Sequence, residues 1–166
     1  MKKFFMIACM MLMSTAMFAQ AGKFGVGANV LYGFASDYKQ VGFGVKAQYE
    51  FVENFRAEVE GAYFLKKDYV SMWTANLNFH YLIPCGESFK VYPILGIGIL
   101  GNSLDSVLKD LGAENTTMFA FNGGVGAEYL ISENFKIDAA FRYQYGKKDG
   151  VKSDWPIVSI GCAYMF

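Results

Sequence analysis

The sequence predicts an all-β fold: an eight-stranded antiparallel up-and-down transmembrane β-barrel after a cleaved N-terminal signal peptide. Three observations lead to this prediction. Beyond residue 22, apolar and polar residues alternate in eight runs of about 9–12 residues, the length that a tilted strand needs to cross a bilayer. Every charged residue within these runs falls on one face. Aromatic residues collect at both ends of the runs, as they do at the two surfaces of a membrane.

Residues 1–21 have the organisation of a secretory signal peptide. Two lysines follow the initial methionine, and a mostly apolar segment comes next. The small residues Ala19 and Ala21 fit the pattern at which such peptides are cleaved, after either one. We therefore expect residues 22–166 to form the mature barrel domain.

Composition excludes several classes of protein. The chain has 15 basic and 15 acidic residues, so its net charge is zero, and no basic patch predicts binding to nucleic acid. Hydrophobic residues make up 54% of the chain, yet the mature part has no apolar segment of the roughly 20 residues that a spanning helix needs. High apolar content divided among short alternating segments is typical of a membrane barrel.

The first four runs cover residues 23–32, 41–51, 55–65 and 73–81. The second run shows the pattern most plainly, because apolar residues from Val41 to Phe51 alternate with glycine, lysine, glutamine and glutamate. Side chains of a strand point alternately to its two faces, so each run has one apolar face. A tight turn at residues 52–54 joins the second run to the third.

The last four runs cover residues 89–100, 119–129, 135–145 and 155–166. The last run must pair with the first, because closure removes the two exposed edges of the sheet. Its apolar face has five members, and small residues occupy the other face. The apolar members are Val158, Ile160, Cys162, Tyr164 and Phe166.

Alternation alone does not say which face points inward, because a soluble carrier barrel places its apolar face inside. The connections favour a membrane barrel. Short turns at 52–54, 83–88 and 131–134 alternate with longer loops at 33–40, 101–117 and 146–154, as expected of barrels with short turns on one side of the membrane. The connection at 66–69 is the exception, because it is brief. The apolar face is therefore predicted to contact lipid and the charged face to line the lumen.

The charged lumen residues are predicted to pair with one another. Eight strands leave an interior just wide enough for side chains, so bases and acids should fill it and leave no channel. A narrow porin-like channel for small solutes is the alternative. The predicted lumen network consists of Lys46, Glu50, Arg56, Glu58, Glu60, Glu128, Lys136, Asp138 and Arg142.

A signal peptide, eight such strands, charged lumen residues and the aromatic Phe166 together resemble the small outer-membrane β-barrel proteins of the OmpX and OmpA-transmembrane-domain type. The resemblance covers the whole mature chain, and it is architectural. It implies a monomer among outer-membrane lipids in a Gram-negative bacterium, with a structural or surface-interaction role. It also implies insertion by the barrel assembly machinery, which in this family reads a final strand that ends in an aromatic residue. Tyr164 and Phe166 are the candidates for that signal.

The loop at residues 101–117 is predicted to contain a short helix. Asn102 or Ser103 can cap its start, and Gly112 can end it. The apolar stripe would fold over the barrel rim, or it would present a surface to a partner. The stripe consists of Leu104, Val107, Leu108 and Leu111.

Two features suggest catalysis or cofactor binding, and both have a simpler interpretation. Glycines at 96, 98 and 101 match the spacing of a dinucleotide fingerprint, but no βαβ unit surrounds them. His80 is the single histidine, and some eight-stranded outer-membrane barrels modify lipid A with a paired histidine and serine. No serine neighbours His80, so we expect it to be a hydrogen-bonded wall residue. We therefore predict no enzyme activity, no catalytic residue, no cofactor and no metal, with lipid A modification as an alternative.

Overall fold

The computed structural model describes most of the chain after residue 21. The predicted signal peptide, residues 1–21, lies outside the described residues. The described ranges are 22–34, 39–67, 70–104, 116–148 and 151–166. They contain eight long strands and one strand of two residues. These are β1 (Lys23–Phe34), β2 (Lys39–Val52), β3 (Phe55–Lys67), β4 (Val70–Tyr81), β5 (Ile83–Pro84), β6 (Phe89–Leu104), β7 (Thr117–Leu130), β8 (Phe135–Lys148) and β9 (Val151–Met165).

The eight long strands form a closed antiparallel barrel. Each pairs with the next long strand along the chain, and β4 pairs directly with β6. The barrel closes where β1 pairs with β9, from Gly25 opposite Met165 to Gly33 opposite Ile157. The predicted eight-stranded up-and-down barrel is therefore confirmed. Within the described residues, no helix is long and apolar enough to cross a membrane.

The apolar face of every long strand points outward. Val45, Leu95 and Ile160 are each at least 67% exposed, whereas Arg56 and Gln48 in the interior are at most 1% exposed. This arrangement reverses that of a soluble barrel, as expected when lipid is the surrounding solvent. The predicted orientation of the two faces is confirmed.

Exposed aromatic side chains surround both ends of the barrel. We call the end with Lys23 and Phe166 the terminal end and the opposite end the loop end. These two rings match the belts that aromatic residues form at membrane surfaces. At the terminal end they include Phe51, Phe55, Tyr81, Phe89, Tyr129, Phe135, Tyr164 and Phe166, and at the loop end Tyr32, Tyr63, Phe119 and Tyr143.

The turns at the terminal end are short, as predicted. Asn54 has a φ of 66°, a left-handed conformation that asparagine tolerates well, and it allows the tight connection between β2 and β3. The turn predicted at residues 83–88 starts later, because Ile83–Pro84 pairs with Lys90 and Val91 as β5. Proline fits there, since a short edge strand does not need every backbone N–H.

The strands continue further at the loop end than the sequence predicted. β8 runs to Lys148 and β9 begins at Val151, with Lys147 opposite Lys152. The predicted long loop at 146–154 is therefore wrong, and only residues 149–150 separate these strands. Ladder pairing satisfies backbone N–H and C=O groups whether or not the side chains alternate in polarity, so pairing extends past the apolar pattern.

The helix predicted in loop 101–117 is wrong at its start. Ser103 and Leu104 belong to β6 and pair with Ser71 and Val70 of β4. Asn102 is also a strand residue, and its side-chain Oδ1 accepts a hydrogen bond of 2.5 Å from the backbone N–H of Thr116. The remaining stripe residues, Val107, Leu108 and Leu111, lie outside the described residues.

Candidate functional site

The lumen is the candidate site, and its side chains form two layers. The charged layer occupies the terminal half of the barrel, where the small apolar cluster of Leu82, Tyr92 and Ile94 is also buried, and the apolar layer occupies the loop half. The charged layer consists of Lys46, Glu50, Arg56, Glu58, Glu60, His80, Glu128, Lys136, Asp138 and Arg142, and all except Glu50 are less than 9% exposed. The apolar layer consists of Leu31, Ala62, Phe64, Leu100, Trp155 and Ile157, with Met72 and Met118 packed against it.

Lys46 on β2 reaches across the lumen to Asp138 on β8. Its Nζ lies 2.5 and 2.6 Å from the two carboxylate oxygens. Both side chains are at most 5% exposed, so the two charges compensate each other in a space that excludes most water. This contact joins strands that are three positions apart around the barrel.

Arg142 on β8 pairs with Glu60 on β3, at 2.5 Å between Nη2 and Oε1. These strands lie opposite each other in the barrel. Glu60 also accepts hydrogen bonds from the side-chain amides of Asn29, at 2.8 Å, and Asn76, at 3.2 Å. Three donors therefore satisfy one buried carboxylate.

Arg56 and Lys136 share Glu128. The Glu128 Oε2 atom lies 2.5 Å from Arg56 Nη1 and 3.1 Å from Lys136 Nζ. Glu50 lies further away, at 3.8 Å from Arg56 and 4.0 Å from Lys136. Two cations therefore depend mainly on one buried carboxylate.

His80 is a wall residue within this network. Its Nδ1 accepts a hydrogen bond of 3.1 Å from Arg56 Nε, and its ring stacks on Tyr92 with centroids 4.8 Å apart. Arg56 lies over the same Tyr92 ring at 4.9 Å. Because His80 is 2% exposed, it contacts neither lipid nor open solvent.

Side-chain amides form a hydrogen-bonded group beside the charged layer, where Asn76 donates to Glu60 and Asn78 to Glu58. Asn122 donates to the Oδ1 atoms of Asn76 and Asn78 at 3.0 and 3.1 Å, and Gln144 donates to Asn76 at 2.9 Å. Gly96 and Gly98 make room for these amides, since a Cβ at either position would overlap Asn78 or Asn76. Two of the three glycines of the apparent dinucleotide fingerprint, Gly96 and Gly98, therefore serve packing inside the barrel.

The apolar layer was not predicted. Its centre is the pair Phe64 and Trp155, whose ring centroids lie 4.3 Å apart. Phe64 lies over Gly42 and Trp155 over Gly33, and a Cβ at either glycine would overlap the ring. The sequence contains the signal, because apolar residues occupy the inward positions of the alternation near the loop end.

No metal site is evident in the described part of the chain. Among those residues, no group of three or more histidine, cysteine, aspartate or glutamate side chains could hold a metal ion. The lumen carboxylates instead contact lysine, arginine and amide groups. The cavity within the charged layer, lined by Lys46, Glu58, Tyr92 and Arg142 among others, has a volume of about 10 Å³.

An outward apolar face, two aromatic rings and a filled lumen describe a small barrel of the outer membrane. The family model described as the outer membrane protein beta-barrel domain matches residues 5–166. The chain belongs to this family. It is an outer-membrane protein, and its strands span that membrane. No curated protein sequence matches the chain.

Solved structures of outer-membrane barrels share this fold. Neisserial surface protein A matches with a TM-score of 0.68 at 16% identity, over 88% of this chain and 97% of that one. The attachment invasion locus protein Ail of Yersinia pestis, solved with the heparin analogue sucrose octasulfate, matches with a TM-score of 0.59 at 22% identity, over 87% and 99%. OprG of Pseudomonas aeruginosa gives 0.61 at 17%, over 88% and 96%. At these identities the likeness shows the fold alone.

The structure places Tyr164 and Phe166 of this outer-membrane barrel where β9 meets β1. Both side chains point outward, and their ring centroids lie 5.1 Å apart. The Phe166 ring stacks on Phe24 of β1 at 6.2 Å, and its backbone N–H donates to the Phe24 carbonyl at 2.7 Å. These residues therefore contribute to barrel closure. Their role as a signal to the assembly machinery stays a prediction.

Proposed function

We propose that the chain is a non-enzymatic, monomeric outer-membrane barrel with a closed lumen, which acts as a structural or surface-interaction protein. The observation that carries this proposal is the filled lumen. Cross-lumen ion pairs occupy its terminal half, and the Phe64–Trp155 layer occupies its loop half. A barrel that transports nothing acts through the surfaces that it presents.

Two physical arguments support a lumen that does not conduct. The cavity of about 10 Å³ within the charged layer has room for about one water molecule. The apolar layer adds a second barrier, because hydrophobic constrictions exclude water and the hydrated ions that move with it.

The lumen also offers little for catalysis. The single histidine is buried and accepts a hydrogen bond from Arg56, and the carboxylates are engaged by lysine, arginine and amide donors. A lipid-modifying enzyme needs its acid or base within hydrogen-bond reach of a substrate. Lipid contacts the outer face of this barrel, where the described residues of the spanning band are apolar or aromatic.

Single-channel recording in planar lipid bilayers tests the closed lumen. We expect negligible conductance from the refolded barrel, with an established porin in the same bilayers as the positive control. Large, stable conductance steps would contradict the proposal and support the porin-like alternative.

The loop between β6 and β7 is the proposed contact surface. Ail, named for attachment, gives a precedent for such use of this fold. Deletion of residues 105–111 removes most of the predicted apolar stripe and leaves both strands intact. We expect the deletion to reduce binding of cells that display the barrel to immobilised heparin or host-cell surfaces. Unchanged binding with normal barrel yield would rule out this loop as the surface.

A further inference from the structure

The outer face of the barrel has a depression where β2, β3 and β4 meet. Its floor is Gly61, which stands opposite Val45 on β2 and Ala75 on β4. A Cβ added at Gly61 would have no atom within 4 Å, so the space above this residue is open. The depression has a volume of about 440 Å³, and its lining includes Phe43, Val45, Tyr63 and Trp73.

A second outward glycine explains why the depression is empty of protein atoms. Trp73 on β4 stands between Tyr63 on β3 and Gly101 on β6. Its indole ring lies on Gly101, where a Cβ would overlap the ring. The largest side chain near the depression therefore leans away from Gly61 and forms a wall. Gly101 and Gly61 together create the space.

The position of the depression favours one class of occupant. It lies on the lipid-facing band, directly on the terminal side of the row formed by Phe43, Tyr63 and Trp73. Tyrosine and tryptophan place an apolar body toward hydrocarbon and a polar tip toward the headgroups. A lipid whose headgroup lies beside Tyr63 and Trp73 can therefore extend an acyl chain over Gly61.

Van der Waals packing favours an acyl chain that remains in the depression. Hydrocarbon gains no hydrophobic free energy by moving from lipid to the barrel wall, so association within a membrane depends on van der Waals packing. The atoms that line an empty depression lack dispersion contacts on that side. A flexible acyl chain that fills the depression restores these contacts. A convex part of the wall offers fewer such contacts.

We propose that this depression, the Gly61 depression, binds one acyl chain of a lipid in the leaflet at the loop end. The ligand class is a long-chain membrane lipid, held by shape at Gly61 and by the aromatic row above it. The site is independent of the lumen, so it does not depend on whether the barrel conducts.

Lipid retention tests the proposal. The barrel is refolded into vesicles of phosphatidylcholine with brominated acyl chains, extracted in mild detergent and weighed by native mass spectrometry. We expect one retained phosphatidylcholine per chain. Gly61→Leu fills the depression and should lower lipid retention about tenfold. The control is Ala57→Leu, which adds the same side chain elsewhere on the outer face of β3 and should leave lipid retention unchanged.

Fluorescence locates the retained lipid. The chain has two tryptophans, and Trp155 is buried in the lumen at 2% exposure, so bromine on a bound chain quenches Trp73 selectively. We expect the tryptophan fluorescence of the extracted wild-type protein to be quenched, and we expect Trp73→Phe to abolish this quenching. Gly101→Ala should also reduce retention, because it displaces the Trp73 ring without adding atoms at Gly61.

Heat-modifiable gel mobility verifies folding of each variant, and Gly61→Ala replaces Gly61→Leu if the larger residue prevents folding. A wild-type protein without retained lipid would overturn the proposal. So would equal retention by the wild type and the filled variant. A wild-type dimer that Gly61→Leu dissociates would show that a second copy covers this face instead.

Discussion

At the scale of single residues, Glu128 is the lumen carboxylate on which two buried cations depend. Arg56 and Lys136 both contact its Oε2 atom, and all three side chains are nearly fully buried. Removal of one partner of a buried ion pair lowers stability by more than the intact pair adds to it. The reason is that the remaining charge stays buried without water or an opposite charge. Loss of Glu128 leaves two such cations, and Glu50 is too distant to replace it without rearrangement.

Glu128→Ala should therefore destabilise the barrel by about 3–5 kcal/mol. Urea unfolding in lipid vesicles, followed by tryptophan fluorescence, measures the change in the free energy of unfolding. Glu133→Ala is the matched control, since Glu133 is exposed in a terminal-end turn, and its effect should stay within about 0.5 kcal/mol. Equal effects of the two substitutions would show that Glu128 is not a structural centre of the network.

At the scale of strands, inward glycines lie beneath large inward side chains of neighbouring strands. Phe64 of β3 covers Gly42 of β2, and Tyr92 of β6 covers Gly126 of β7. Eight strands leave a narrow interior, so each large side chain needs a small residue beside it. The inward glycines Gly42 and Gly126 are therefore packing partners of the lumen side chains.

Gly42→Ala tests this role, because its Cβ would overlap the Phe64 ring. Overpacking of this kind costs about 1–3 kcal/mol. Gly123→Ala is the control: this glycine is on the outer face of β7, and a Cβ there meets nothing within 4 Å. Vesicle unfolding should show a loss for Gly42→Ala and no loss for Gly123→Ala. The opposite order would contradict the packing role.

The seam at which β1 pairs with β9 closes the barrel. Phe166 stacks on Phe24 across this seam, so Phe166→Ala should lower the fraction of folded barrel in the outer membrane while export continues. The measurement is the heat-modifiable fraction of the membrane-bound protein. Phe51→Ala removes an exposed aromatic from the same end, away from the seam, and should have a smaller effect. Normal barrel yield with Phe166→Ala would argue against a role in closure.

At the scale of the whole molecule, the alternation of apolar and polar residues predicts both the barrel and its inside-out orientation. Both depend on which face of each strand carries the apolar side chains. Every second residue faces lipid, and a single charge there would be costly. Strand ends depend instead on backbone pairing, which does not require alternation. The sequence therefore predicts the middle of β8 and β9 but not their extension to Lys148 and Val151.

Partners across the lumen depend on the closed shape, which no local pattern encodes. Lys46 stands directly opposite Glu60 in the β2–β3 ladder, and adjacent register would predict that pair. In the closed barrel Lys46 contacts Asp138 instead, and Glu60 contacts Arg142. The sequence therefore predicts which residues are charged and inward, but not which ones meet.

The cross-lumen pairs have a consequence for folding kinetics. Lys46–Asp138, Arg142–Glu60 and Arg56–Glu128 join residues 92, 82 and 72 positions apart. Hairpins can form early and one by one, but these charges stay without partners until the first and last strands approach each other. Contacts of such long range must overcome a large loop-closure entropy before they contribute any stability. We therefore expect the rate-limiting barrier to fall at closure, with the ion pairs forming together in the final step.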